Sequence, residues 1–166
     1  SPLSEGGQMR FVRGNITHKL LQLLPDIAVE KRQNAAARYL AHSAHDLSAD
    51  IQESIVREVI DILTRPEFTP LFGPGSMAEV PVTGMLDDHT LISGQIDRLV
   101  VTDDEILILD YKTNRPPPQD ETNIPDIYRR QMHAYARALS QIYPDKKIRC
   151  YLLWTDGAHL MEIRTA

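Results

Sequence analysis

The chain has 166 residues, 42% of them apolar and 25% charged, with a formal net charge of −5; this is the make-up of a soluble globular protein long enough to bury a core. Cys150 is the only cysteine, which excludes an internal disulfide framework, a four-cysteine zinc site and an iron–sulfur cluster carried by this chain alone, and makes a reducing intracellular setting the default. No apolar run is long enough to span a bilayer and no secretory leader is expected, while the acidic balance argues against a generic basic nucleic-acid footprint, although a carboxylate metal site would itself add negative charge.

Residues 1–12 open with Ser-Pro-Leu-Ser-Glu-Gly-Gly and carry no structural signal. They read as a linker or cut point before a single domain over 13–166, and the chain reads as a piece of something longer. Asn15 is the expected N-cap of a first helix, with His18, Leu20, Leu21 and Leu24 following before Pro25 stops it. A second helix is expected from Asp26 to about Ala44. Ser48 is the cap expected for a third, in which Ile51, Ile55, Val59, Ile62 and Leu63 recur at helical spacing until Pro66. After a Pro/Gly loop, Met77–Gly84 reads as a strand interrupted by Glu79. A polar turn then leads to the stretch that carries the chemistry, Gly94–Asn114.

Beyond that stretch, Arg115-Pro116-Pro117-Pro118 forms a stiff exit and a polar loop runs to Pro125. A helix from Asp126 to about Ile142 places Tyr128, Gln131 and Tyr135 on one face. Lys147–Trp154 and His159–Ile163 read as strands around an Asp156-Gly157 turn. The order implies an α/β fold with a mixed central β-sheet flanked by helices and an N-terminal helical segment.

Gly94–Asn114 reads as a hairpin. Strict alternation puts Gln95, Asp97, Leu99 and Val101 on one face, and it puts Asp110 with Lys112. A turn at Asp103-Asp104, or over Thr102–Glu105, sets Asp97 opposite Asp110, Leu99 opposite Ile108 and Gln95 opposite Lys112. Opposed like charges destabilise a strand pair, so these acids call for a cation. Mg²⁺ takes hard oxygen ligands, commonly one or two carboxylates with water and substrate phosphate, and the Tyr111 backbone carbonyl lies between as a further oxygen. Lys112 beside them could hold or deprotonate a water or offset transition-state charge. The plain alternative is a solvated Asp110–Lys112 pair worth about 0–1 kcal/mol.

Gly94-Gln-Ile-Asp-Arg, then Leu109-Asp-Tyr-Lys-Thr-Asn, then Tyr128-Arg-Arg-Gln-Met-His-Ala-Tyr135 resembles the PD-(D/E)xK nuclease superfamily in its RecB-like branch, and within it the C-terminal nuclease domain of AddA-type bacterial helicase–nucleases. Phe72-Gly-Pro-Gly-Ser-Met-Ala-Glu-Val-Pro-Val and Leu153-Trp-Thr-Asp-Gly are also similar to that group. The resemblance implies a restriction-endonuclease-like core in which Asp97 and Asp110 ligate Mg²⁺ and Lys112 is the catalytic lysine. It implies that His18 helps bind the metal, where an imidazole would suit Mn²⁺ better. Gln131 and Tyr135 match the Gln-x-x-x-Tyr motif, near the substrate phosphates or the lysine. Glu79 stands where related nucleases often carry an additional acid.

The function so implied is a metal-dependent DNA exonuclease or endonuclease domain of a helicase–nuclease that processes double-strand breaks for recombination in the bacterial cytoplasm. An AddB-type partner protein would accompany it, and ATP would be used only in the missing helicase part, since no Walker A loop occurs in these residues. Two alternatives are a non-catalytic DNA- or protein-binding module that kept the fold, and a stand-alone nuclease of the same superfamily.

Overall fold

The computed structural model describes residues 2–164. Contacts group the chain into two compact units, one ending at Phe72 and the other beginning at Gly73.

The first unit is helical. α1 spans Pro2–Leu23, so residues 2–12 of the segment expected to be a linker are helical and Asn15 lies within the helix rather than at its start. Gln8–Arg13 lack proline and glycine and propagate a helix readily, and an interior glycine such as Gly14 costs only about 1 kcal/mol relative to Ala. Pro25 ends α1 as expected, within a 3-10 turn over Leu24–Asp26. α2 spans Val29–Ser43 and α3 spans Ala49–Thr64. Ser48 caps α3, its Oγ accepting from the Ile51 N–H at 3.3 Å. The apolar periodicity of α3 becomes a buried stripe of Ile55, Val59, Ile62 and Leu63. Arg13 in α1 reaches α3, donating to Glu58 at 3.0 Å and to Ser54 at 3.1 Å.

The second unit is a five-stranded sheet with one long helix. The strands are β1 (Ser76–Met85), β2 (Leu91–Val101), β3 (Glu105–Lys112), β4 (Lys147–Trp154) and β5 (His159–Ile163), in the spatial order β1-β2-β3-β4-β5. All neighbours are antiparallel except β3 and β4. A parallel pair needs a crossover, and α4 (Asp126–Ile142) supplies it. α4 contributes Met132, Tyr135 and Leu139 to a core with Ile96, Leu99, Ile106, Ile108, Cys150, Leu152 and Trp154 from the sheet. Each large apolar side chain buried there contributes about 1.5–3 kcal/mol.

The hairpin has the expected register, with Leu99 opposite Ile108 and Val101 opposite Ile106. Its turn is the wider one: the Thr102 N–H donates to the Glu105 carbonyl and the Glu105 N–H to the Thr102 hydroxyl, both at 2.9 Å. Strict alternation does not survive along β2. Ile92 and Ile96 join the same core as Leu99, so the pattern slips by one between Ile96 and Leu99, at Asp97 and Arg98. The β1–β2 ladder skips Glu79, whose φ is +53°. A non-glycine residue in the left-handed region is strained by about 1–2 kcal/mol. The Gln95 amide braces this kink by donating to the Glu79 carbonyl at 3.2 Å.

A second joint ties α4 to β2. The Tyr135 hydroxyl donates to the Gln95 carbonyl at 3.3 Å, and Gln131 Nε2 donates to the Tyr135 hydroxyl at 3.3 Å. Gly94 makes the approach feasible, because a Cβ at that position would overlap the phenol oxygen. Gly94→Ala is therefore expected to lower stability by about 1–3 kcal/mol through overpacking, as read by urea unfolding. Tyr135→Phe in the same chain, which removes the overlapping oxygen, should recover part of that loss. Equal losses in the single and double variants would show that the hydroxyl is not the obstacle.

Candidate active site

Asp97, Asp110 and Lys112 come together where the β2–β3 ladder ends. The last main-chain pair is Arg98 with Leu109. Beyond it the Asp97 carboxylate replaces the backbone acceptor, taking the Tyr111 N–H at 2.8 Å. This bond holds Asp97 beside the strand that carries Asp110. Gln95 and Lys112, expected to face each other, lie outside the ladder; Gln95 turns its amide to Glu79 instead.

Asp110 is the buried member, 6% exposed. Burial, and secondly the negative charge of Asp97, push its carboxyl up to about 6, while Lys112 opposes the shift. Lys112 Nζ stands 2.6 Å from Asp110 Oδ2. The ammonium is the close cationic neighbour of this oxygen, and its charge and hydrogen bond both act to lower the Asp110 carboxyl. A buried anionic oxygen with an open lone pair, beside a second carboxylate, is a setting that a hard cation relieves.

Lys112 Nζ also lies 4.0 Å from the centre of the Tyr128 ring, in the first turn of α4. On the other side of the hairpin's pattern, Arg98 is 3% exposed and donates to the Tyr111 hydroxyl at 3.2 Å and to Ser76 Oγ at 2.8 Å. Burial, the larger influence, raises the Tyr111 phenol well above the usual tyrosine range, and Arg98 works against it. Arg98 and Tyr111 thus tie β1, β2 and β3 together next to the acid pair.

Of the other residues named from the sequence, Gln131 and Tyr135 form the hydrogen-bonded joint on β2 already described, and Glu79 is the strained residue of β1 that the ladder's register sets opposite Asp97. His18 lies half-buried on α1, in the first unit. Among the described residues no three His, Cys, Asp or Glu side chains cluster as a metal site. Asp97, Asp110 and the Tyr111 carbonyl are the oxygen donors here that could hold a divalent cation, a sparse set of the kind Mg²⁺ completes with water and phosphate.

Gly94, Arg98 and Tyr128 carry no role that the sequence alone assigns. A glycine inside a strand is a signal of close approach, and Gly94 gives it; nothing local marks an arginine or tyrosine for these contacts.

The parallel strands β3 and β4, joined by a helical crossover, carry Asp110 and Lys112 at the carboxyl end of β3 in a mixed α/β sheet. A family model described as the PD-(D/E)XK nuclease superfamily matches residues 3–162, and the chain belongs to that superfamily. Its relatives include an ATP-dependent helicase/nuclease of Listeria innocua serovar 6a, whose AddA-type chain is 32% identical over 84 residues, which are 47% of this chain and 7% of that protein. The protein of the same name from Streptococcus equi subsp. zooepidemicus (strain H70) is 35% identical over 77 residues, 46% of this chain and 6% of that protein. The chain thus corresponds to a small part of these relatives. A crystal structure of a candidate exonuclease from Eubacterium rectale superposes with a TM-score of 0.51 at 12% identity, covering 87% of this chain and 59% of the other; it shows the shared fold.

The Asp110 shift sets a pH dependence. Its folded pKa of about 6 lies above the ordinary 3.8, so folding favours the protonated form. The associated stability is fully present below about pH 4 and is lost as pH rises through 6. The rise from 3.8 to about 6 corresponds to at most about 3 kcal/mol, reduced by the loss of the Lys112 partner. Asp110→Asn should melt above the wild type at pH 8 in EDTA, and the gap should close toward pH 4. A wild-type chain that melts higher at pH 8 would contradict the assignment.

Proposed function

We propose that the chain is a divalent-metal-dependent DNA nuclease that hydrolyses phosphodiester bonds. The observation that carries this reading is the Lys112 ammonium at 2.6 Å from a buried carboxylate that a second carboxylate crowds. Asp97 and Asp110 would hold Mg²⁺, or Mn²⁺ in its place, with the Tyr111 carbonyl as a third oxygen donor. A cation bound there supplies Lewis acidity at a phosphoryl oxygen and a more acidic water. Lys112, anchored on Asp110, would direct an attacking water by hydrogen bonding and then offset negative charge growing on the phosphoryl oxygens. Asp97 would keep its orientation through the Tyr111 N–H bond, and Asp110 would be kept from solvent by its burial. In this reading Gln131 and Tyr135 act on the substrate side through the β2 joint and Glu79 adds acidity at the rim.

The membership of the superfamily and the helicase/nuclease relatives support placing the domain, residues 13–166, in a larger helicase–nuclease that processes double-strand breaks for recombinational repair. ATP would be consumed by the motor portion, an AddB-type protein would be the partner, and the bacterial cytoplasm the location. No helix among the described residues is long and apolar enough to cross a membrane.

The test is cleavage of end-labelled single-stranded DNA with Mg²⁺ or Mn²⁺. Lys112→Ala is expected to lose about 10²–10⁴-fold in rate, the range for removing a positioned acid–base group. Asp110→Ala should lose at least as much, with melting temperature preserved or raised. Cleavage by either variant at the wild-type rate would remove the assignment of the centre, whereas a wild-type chain that neither binds metal nor cuts would favour a binding module that kept the fold. Gln131→Ala should lose less than either; full activity would leave Gln131 as the brace of Tyr135 alone.

A further inference from the structure

Tyr128 touches the site without a task in the chemistry. Its ring presents a face to Lys112 Nζ at 4.0 Å, while the same nitrogen stands 2.6 Å from Asp110. The ring is itself fixed. Asn114, two residues past Lys112, donates its amide to the Tyr128 hydroxyl at 3.3 Å. The buried Trp154 packs against the ring with centroids 6.2 Å apart at a tilt of 52°. The Tyr128 N–H is held by the Pro125 carbonyl at 3.0 Å, in the first turn of α4.

A lysine at the end of a strand has four flexible methylene links and an ammonium that water solvates strongly. A single carboxylate contact anchors the ammonium at one point and leaves the rest of the side chain free to swing. A ring face attracts a partly desolvated cation over a broad area, so the lysine has one anionic and one aromatic neighbour that together restrict it. Core packing alone does not call for this arrangement. Tyr128 is only half-buried, and a branched aliphatic side chain would cover Trp154 as well.

We propose that Tyr128 is the positioning residue for Lys112, holding its ammonium at the acid pair through the ring face rather than through the hydroxyl. The proposal rests on the nuclease reading for its kinetic consequence, and on geometry alone for the placement of the lysine. It predicts that an aromatic side chain suffices at this position and that an aliphatic one does not.

The experiment compares wild type, Tyr128→Phe and Tyr128→Leu in the whole chain. By NMR, the Lys112 ε-methylene protons should be shifted upfield by the ring in wild type and in the Phe variant, and should return to the ordinary lysine position in the Leu variant. On labelled single-stranded DNA with Mn²⁺, the Leu variant should lose about 10–100-fold in kcat, the scale of an ångström-level misplacement, with KM within about threefold by the same argument. The Phe variant should stay within about threefold of wild type in both. An unshifted Lys112 in the wild type would overturn the proposal, and so would a Leu variant with wild-type kcat or a Phe variant as slow as Leu. A Leu variant that fails to fold leaves the Phe variant and the wild-type shift to decide. A wild type that does not cut DNA removes the nuclease reading, and the ring shift then decides the placement of Lys112 by itself.

Discussion

Two like charges at one end of a hairpin are the constraint on which the rest of the sheet unit depends. Asp97 and Asp110 stand close enough that the charge on Asp97 adds to burial in raising the Asp110 carboxyl to about 6. A fold optimised for stability alone would not place them there. The surroundings compensate in three ways. The Tyr111 N–H takes Asp97, Lys112 takes Asp110, and the slip in alternation at Asp97 and Arg98 lets the acid leave the ladder while Ile96 and Leu99 remain in the core. The strained φ of +53° at Glu79 lies across from that slip. Strain at a site where function needs it, held by well-packed neighbours, follows a general pattern.

α4 is the element that makes the arrangement rigid. As the crossover between the parallel strands β3 and β4, it must start near the carboxyl end of β3, where the acids and Lys112 lie. Its first turn offers Tyr128 to the lysine, and two turns later Tyr135, held by Gln131, grips β2 at Gly94 and Gln95. The Gly-x-x-Asp and Gln-x-x-x-Tyr patterns are therefore two halves of one contact: the glycine leaves the space that the tyrosine hydroxyl fills. The superfamily match over residues 3–162 includes both halves and the helical segment with His18.

Most of the fold is legible in the sequence because it rests on patterns with a short period. The strands at Met77–Gly84, Lys147–Trp154 and His159–Ile163 and the α4 helix are readable to within one or two residues. The Leu99–Ile108 register follows from the turn length alone. Asn15 misleads because a good capping residue is silent when the preceding residues also favour helix. Alternation misleads at Ile96, since a local slip changes the face without changing the register. Asp97, Asp110 and Lys112 can be singled out because acids interrupting apolar runs are costly and conspicuous. Arg98 and Tyr128 cannot, because their partners are supplied by residues distant in sequence: Ser76 for one and Trp154 for the other.

The central claim is that the crowded carboxylates are a cation site. The most direct measurement is anomalous diffraction from crystals of the chain soaked in Mn²⁺. The account predicts a peak within ligating distance of both the Asp97 and Asp110 carboxylates, absent from crystals of Asp110→Ala. A Mn²⁺ peak held by other residues, or none at this pair with the metal at saturating concentration, would contradict it.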